Sequence, residues 1–290
     1  GEGLVDSTES IDTVGGFSET TTASFGVDFV VGAEDGAASE AAQFSYQMGI
    51  GLETSFTGED ALSATIDIGD AADDALALDS TGNVLTLDGL TYTFPVGGAT
   101  VMVGDSTDIS AVYTGACAYS AFTDYMGDCG TGNTVGVGGN GVTAAMSYAF
   151  DSGFSLAGGI SSTPTSILTE EGSDVYGIEA AYSADSYGVS VAYSDDETTT
   201  GWGVNGYYAF DAVTLSAGVE SVDSGTTAEG FFVGLSFPEV GAGSLDIGMG
   251  TTGNFADGDT EYYTYEASYA YPVNDGITIT PGIYIVEGAT

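Results

Sequence analysis

Through most of this chain, large apolar residues alternate with small or polar ones. From Phe44 to Phe56 every second position reads Phe, Tyr, Met, Ile, Leu, Thr, Phe, and the positions between read Ser, Gln, Gly, Gly, Glu53, Ser. The same division recurs in Leu62/Ala64/Ile66/Ile68 against Ser63/Thr65/Asp67, and in Val213/Leu215/Ala217/Val219 against Thr214/Ser216/Gly218/Glu220. It continues in Leu245/Ile247/Met249 against Asp246/Gly248, and in Tyr263/Tyr265/Ala267/Tyr269 against Thr264/Glu266/Ser268. A period of two is the signature of a strand whose two faces meet different surroundings. Acidic residues within these segments keep to the small face: Asp28, Glu53, Asp67, Glu179, Glu220, Asp246 and Glu266 all oppose the large apolar set. Asp88 departs from this, sharing parity with Leu90, Tyr92 and Phe94, and so belongs beyond the apolar band or beside a β-bulge.

Alternation alone describes either a soluble sandwich with an apolar core or a membrane barrel with an apolar outside, so the number of strands decides. Short aromatic-flanked turns close successive pairs: Tyr148-Ala-Phe-Asp-Ser-Gly, Tyr182-Ser-Ala-Asp-Ser-Tyr, Tyr208-Ala-Phe-Asp-Ala-Val, Phe237-Pro-Glu-Val-Gly and Tyr271-Pro-Val-Asn-Asp-Gly. Fifteen strand segments follow in order, from 17 to 31 at one end to 276 to 286 at the other. Many approach the roughly 9 to 11 residues with which a tilted strand crosses a bilayer. The pattern predicts an all-β chain, a transmembrane antiparallel up-and-down β-barrel of about 16 strands, because single-chain bacterial barrels carry even numbers. A closing strand is then expected beyond Thr290. Residues 1–16 read as an N-terminal linker and 17–290 as one barrel domain.

The 290 residues include no Lys, Arg or His, giving a formal charge of −43. Attraction to nucleic acid or to anionic headgroups needs cationic side chains, so neither follows from this chain. Histidine-activated nucleophiles, lysine Schiff bases, arginine phosphate clamps and histidine-bound zinc are excluded with them, and no enzyme is predicted. Glycosidase-type carboxylate pairing is not supported by Glu170/Glu171 or Asp195/Asp196, since neighbours on a strand point to opposite faces. Gly138-Gly-Asn-Gly141 lacks the lysine of a phosphate loop. Runs such as Glu34-Asp35, Asp70-Ala-Ala-Asp73-Asp74, Asp195-Asp196-Glu197 and Asp257-Gly-Asp259 solvate loops or hold Ca2+ or Mg2+ weakly; no cofactor is expected.

The segment 104–140 is long for a connection and contains Asp105, Asp108, Asp124 and Asp128, several tyrosines, and the chain's only cysteines, Cys117 and Cys129. It is expected either to fold into the barrel mouth as a constriction loop or to form an external flap. Export to an oxidising compartment favours a Cys117–Cys129 disulfide over a metal pair or a reactive thiol.

Four phrases resemble cyanobacterial outer-membrane porins, the relatives of carbohydrate-selective porins that carry an S-layer-homology domain before the barrel. They are Phe17-Ser-Glu-Thr-Thr-Thr-Ala-Ser-Phe-Gly26, Gly51-Leu-Glu-Thr-Ser-Phe-Thr-Gly-Glu-Asp-Ala-Leu62, Leu90-Thr-Tyr-Thr-Phe-Pro-Val-Gly97 and Tyr271-Pro-Val-Asn-Asp-Gly-Ile-Thr-Ile-Thr-Pro-Gly282. The resemblance implies a 16-stranded channel of the outer membrane, a homotrimer embedded in its lipid and admitting ions and small solutes. The all-acidic small face then becomes a lumen wall that prefers cations. The competing reading is a secreted or surface structural β protein, an adhesin or fibre subunit. Detergent dependence separates the two: a barrel with an apolar belt is predicted to need detergent to stay dispersed, and a monodisperse monomer in plain buffer would overturn the barrel.

Overall fold

A computed structural model of the chain describes residues 20–35, 41–70, 76, 78, 80–137, 141–167, 169 and 174–288. The linker 1–16, the start of the first predicted strand, Asp73 and Asp74, the stretch 138–140, and Glu170 and Glu171 lie outside the described residues. The rest is almost entirely one antiparallel meander. Its strands are β1 Thr21–Gly32, β2 Gln43–Thr54, β3 Ala61–Gly69, β4 Thr86–Val96, β5 Ala99–Thr107, β6 Gly141–Ala149, β7 Phe154–Ser162, β8 Asp174–Ser183 and β9 Tyr187–Asp195. They continue with β10 Thr200–Ala209, β11 Thr214–Asp223, β12 Thr227–Val240, β13 Gly243–Thr251, β14 Phe255–Ala256, β15 Tyr263–Asn274, β16 Ile277–Ile279 and β17 Gly282–Val286. Each long strand pairs with the next, as Asp28 with Gln47 and Glu179 with Ala192 illustrate. The two-residue β14 clips onto β12, and β16 and β17 are two pieces of one strand, both paired with β15 on either side of Pro281. Fifteen strands therefore traverse the sheet.

Turns alternate with loops along the chain. At one end the strands are joined by tight connections such as Gly97-Gly98 and Gly241-Ala242, where Gly97 and Gly241 take φ of 62° and 67°. The β2–β3 turn is fixed by Asp60, whose buried carboxylate accepts from the hydroxyls of Ser55, Thr57 and Tyr92 and the amides of Phe56 and Thr57. The Tyr92 hydroxyl, reinforced by the other donors, holds this carboxyl far below the usual carboxylate range. The opposite end carries connections of uneven length, from three residues between β11 and β12 to the longest of all, between β5 and β6.

The large apolar face is the exposed one. Ile178, Val191, Trp202 and Val219 are 61%, 48%, 47% and 46% exposed, whereas Glu179, Ala192, Asn205 and Glu220 on the other face are at most 4% exposed. That inverts the arrangement of a soluble sandwich. On the exposed face aromatics bracket aliphatics: Tyr176/Ile178/Ala180/Tyr182, Tyr187/Val189/Val191/Tyr193 and Trp202/Val204/Gly206/Tyr208. At the turn end the rings form a run, with centroids 4.7 Å apart for Phe154–Tyr182, 5.8 Å for Tyr182–Tyr187, 6.4 Å for Tyr187–Tyr208 and 4.7 Å for Tyr208–Phe210. Asp88 sits in a bulge: Thr65 pairs with Gly89 and Ile66 with Leu87, leaving Asp88 as the extra residue. This restores Leu90, Tyr92 and Phe94 to the apolar face.

Among the described residues β1 and β17 share no ladder. The contact there is a hydrogen bond from the Tyr284 hydroxyl to the Glu34 carboxylate. The buried apolar clusters are both made between the inner face and the long loop: Met102, Ile109, Val137 and Ala145 in one, Tyr119, Met126, Cys129 and Phe232 in the other. A loop that touches β5 and β6 through one cluster and β12 through the other lies within the curl of the sheet.

Candidate functional site

The loop leaves β5 through a 3-10 turn, Ile109–Val112, capped by Asp108, whose carboxylate accepts from the Ser110 amide at 2.7 Å. It runs extended to Thr123, turns again through Asp124–Gly130, makes a four-residue helix Gly132–Val135 and returns towards β6. Cys117 and Cys129 are disulfide-bonded, with Cα atoms 5.6 Å apart. The bridge ties the extended stretch to a tight kink in which Asp128, Cys129 and Gly130 take φ of 50°, 53° and 69°. Two consecutive non-glycine residues in the left-handed region carry a steric cost, so the surroundings must hold them there. The Asp128 carbonyl accepts from the Thr131 hydroxyl at 2.7 Å and faces the Asn205 amide.

What fixes the loop to the wall is a set of carboxylates. Glu179 on β8 accepts from the Thr114 amide at 2.7 Å on one oxygen and from the Gly115 amide at 2.8 Å on the other. Glu266 on β15 accepts from the Tyr119 hydroxyl (2.9 Å) and Phe122 amide (2.8 Å) on one oxygen, and from the Thr123 amide (2.8 Å) and hydroxyl (2.5 Å) on the other. Glu220 on β11 takes the side-chain amides of Asn133 and Asn254 at 2.8 and 2.7 Å, and the Thr134 amide and hydroxyl at 3.0 and 3.2 Å. Between them Asn205 on β10 accepts from the Ala116 amide at 3.1 Å and donates to the Thr131 hydroxyl at 3.0 Å. Asp246 on β13 is bound by the Ser236 hydroxyl at 2.5 Å and by the Ser120 amide. Accepting from donors on both oxygens is the work of an ionised carboxylate; a protonated one would turn an O–H towards a donor.

Register places the seven strand acids on one face, from Asp28 opposite Gln47 to Glu266 opposite Gly248. They fall into two groups. Glu179, Glu220, Asp246 and Glu266 lie beneath the loop and are its partners, whereas Asp28 and Glu53 are exposed on the β1–β2 wall and Asp67 is buried on β3. Gln47 donates to Asp28 at 2.9 Å. Of the loop acids, Asp124 is exposed and Asp108 caps its turn. Asp128 is pushed up by burial first, then by the carboxylates of Asp108, Asp124 and Glu220. Asp105 falls within β5, opposite Leu90 on the apolar-face parity, and so is set apart from the loop.

Asn205, Asn254 and the backbone amides that meet the carboxylates were not singled out from sequence. A lone amide between Gly203 and Gly206 on a small strand face was the available signal for Asn205. An open cavity of about 360 Å3 lies between the kink, Glu220 and the β13–β15 loop, lined by Asp124, Asp128, Asn133 and Asn254 among others. Among the described residues no three acidic or cysteine side chains are arranged to hold a metal ion.

No protein-family model and no curated protein matches this chain. Solved structures do. A mutant of the Rh. blastica porin aligns over 91% of this chain and 94% of its own at 17% identity, with a TM-score of 0.60. The high-pH structure of Pseudomonas putida OprB aligns over 97% of this chain and 90% of its own at 14% identity, with a TM-score of 0.71. At these identities the likeness is one of fold: the meander is similar to bacterial porin barrels.

Glu266→Gln is predicted to loosen the loop, because an amide nitrogen cannot accept and at least the donors on one oxygen lose their partner. Hydrogen bonds to a charged group contribute about 1.5–3 kcal/mol each. Chymotrypsin treatment of the folded protein in detergent is expected to cut between Tyr119 and Tyr125 in this variant and to spare the wild type and Glu53→Gln. Equal resistance in all three would show that Glu266 does not hold the loop.

Proposed function

We propose that the chain is a passive channel of a bacterial outer membrane, passing ions and small hydrophilic solutes. The observation that carries this is a single juxtaposition: a disulfide-closed loop bound to the inner face of a curled sheet whose outer face is apolar and bracketed by aromatics. An apolar band with aromatic girdles suits lipid, and a loop across the interior narrows a passage without sealing it. Asp28 and Glu53, the exposed inner-face acids of β1 and β2, mark the side on which solute moves. The fold shared with bacterial porins, which are channels and not enzymes, supports the same reading, and the phrases resembling cyanobacterial porins favour that branch and a homotrimer.

Selectivity in this proposal comes from the acids that reach water in the passage. Asp28 and Glu53 on β1 and β2 and Asp124 on the loop are exposed, Asp67 and Asp128 add to the same lining, and no cationic side chain exists in the chain to balance them. Glu179, Glu220, Asp246 and Glu266 belong to the lumen wall as well but act behind the loop, adding to the field and not meeting the ion. A passage with charge of one sign concentrates cations and repels anions. Loop carboxylates at the mouth take up Ca2+ or Mg2+ weakly, as hard ions on oxygen.

Planar-bilayer reversal potentials in a KCl gradient test this. Cation preference is predicted, weakening as salt rises because the screening length falls from about 30 Å at 0.01 M to about 3 Å at 1 M. Joint replacement Asp28→Asn, Glu53→Gln and Asp124→Asn is expected to lower the preference while channels still open. An anion-selective or salt-insensitive potential in the wild type would remove the acids from the passage.

A further inference from the structure

The inner wall beneath the loop is floored with glycine, and the backbone does not require it. Gly177, Gly201, Gly203, Gly218, Gly248 and Gly282 lie in strands β8, β10, β11, β13 and β17, and none of them has a φ in the left-handed region that favours glycine. Glycine weakens a strand, since it offers no side chain to pack and loses more freedom on ordering. What it permits here is the approach of the loop. A Cβ on Gly218 would lie 2.0 Å from the Cys129 carbonyl oxygen. On Gly203 it would lie 2.3 Å from Thr134 Oγ1, on Gly248 2.5 Å from the Tyr119 hydroxyl, and on Gly282 2.4 Å from the Phe122 ring. On the β1–β2 wall a Cβ on Gly26, on the same inner face, would meet nothing within 4 Å among the described residues, and one on Gly49 or Gly51 would meet side chains of the neighbouring strands, Asp67 and Ser24, and not the loop.

We propose that these wall glycines determine the size selectivity of the passage. The inference rests on the channel reading and specifies which residues set its width. The carboxylates hold the loop laterally, and the missing side chains set how deeply it sits. The nearer the loop lies to β8–β15, the less of the interior it occupies. Gly218 is decisive because its neighbour is loop backbone at the bridged Cys129, which cannot swing aside as a side-chain tip can. Gly201 offers a second, reversible case. Its Cβ would lie 2.6 Å from the Thr134 methyl, and Thr134 is pinned by its amide, which donates to the Glu220 carboxylate, and by its hydroxyl, whose one proton is shared between the Thr131 carbonyl and that carboxylate. Thr134→Ser keeps that hydroxyl and removes the methyl.

The test is single-channel conductance together with the exclusion limit for neutral polymers of graded size, for wild type, Gly218→Ala, Gly201→Ala, the double variant Gly201→Ala/Thr134→Ser, and Gly26→Ala. Gly218→Ala and Gly201→Ala are expected to lose conductance and to exclude smaller polymers than the wild type does. Gly26→Ala is expected to match the wild type, and Thr134→Ser to restore the Gly201→Ala channel. Should Gly218→Ala fail to insert, the Gly201 pair decides alone, because recovery in the double variant cannot come from misfolding. Conductance in the single variants equal to or above that of a conducting wild type would overturn the inference and leave the channel reading standing. A wild type that forms no channels would instead overturn the channel reading itself.

Discussion

A chain without Lys, Arg or His has to neutralise its buried carboxylates with N–H and O–H dipoles, and the placement of the long loop depends on that constraint. Glu179, Glu220 and Glu266 are 3%, 2% and 4% exposed. Removing a carboxylate from water costs several kcal/mol even after relaxation. One hydrogen bond to a charged group contributes about 1.5–3 kcal/mol, so a single donor leaves such a group in deficit and several are needed. Glu266 and Glu220 collect four donors each, and Glu179 takes two backbone amides, one on each oxygen. Most of those donors belong to the loop. Loop and wall are therefore mutually dependent: without the loop the acids would face solvent, and without the acids the loop's amides would have no acceptors on the wall.

The same constraint produces an uneven interior. Anchors occur on β8, β10, β11, β13 and β15, and the loop's apolar residues pack on β5, β6 and β12 over the intervening wall. On β1 and β2 the inner-face acids Asp28 and Glu53 stay in water. The acids of one sheet face thus divide into those that hold the loop and those that do not, although they share residue type, parity and face. Depth is a separate variable, since hydrogen bonds fix where the loop attaches while the glycine floor fixes how near its backbone comes.

Much of this was legible in the sequence because a period of two survives any ambiguity about partners. Alternation placed the strands, assigned the acids to one face and marked Asp88 as lying either beyond the apolar band or beside a bulge, of which β3–β4 pairing shows the second. The length of 104–140 and its two cysteines marked the loop, and the bridge is present. The division of labour among the acids was not legible. Glu266 meets Tyr119 across 147 positions and Glu220 meets Thr134 across 86, and nothing in the local pattern of β11 or β15 records such partners. Asp105 read as part of the loop because the apolar alternation weakens after Val103, whereas pairing with β4 carries β5 on to Thr107. The glycines were legible as small-face residues and not as a seat, because composition does not say what occupies the space they leave.

The loop's backbone amides serve as the counter-groups of the wall carboxylates. Amide hydrogen exchange of the folded protein in detergent tests it most directly. The amides of Thr114, Gly115, Phe122, Thr123 and Thr134 are predicted to exchange as slowly as those of the flanking strands. Exchange as fast as that of the exposed turn at Asp211 and Ala212 would contradict it, and would place the loop free of the wall.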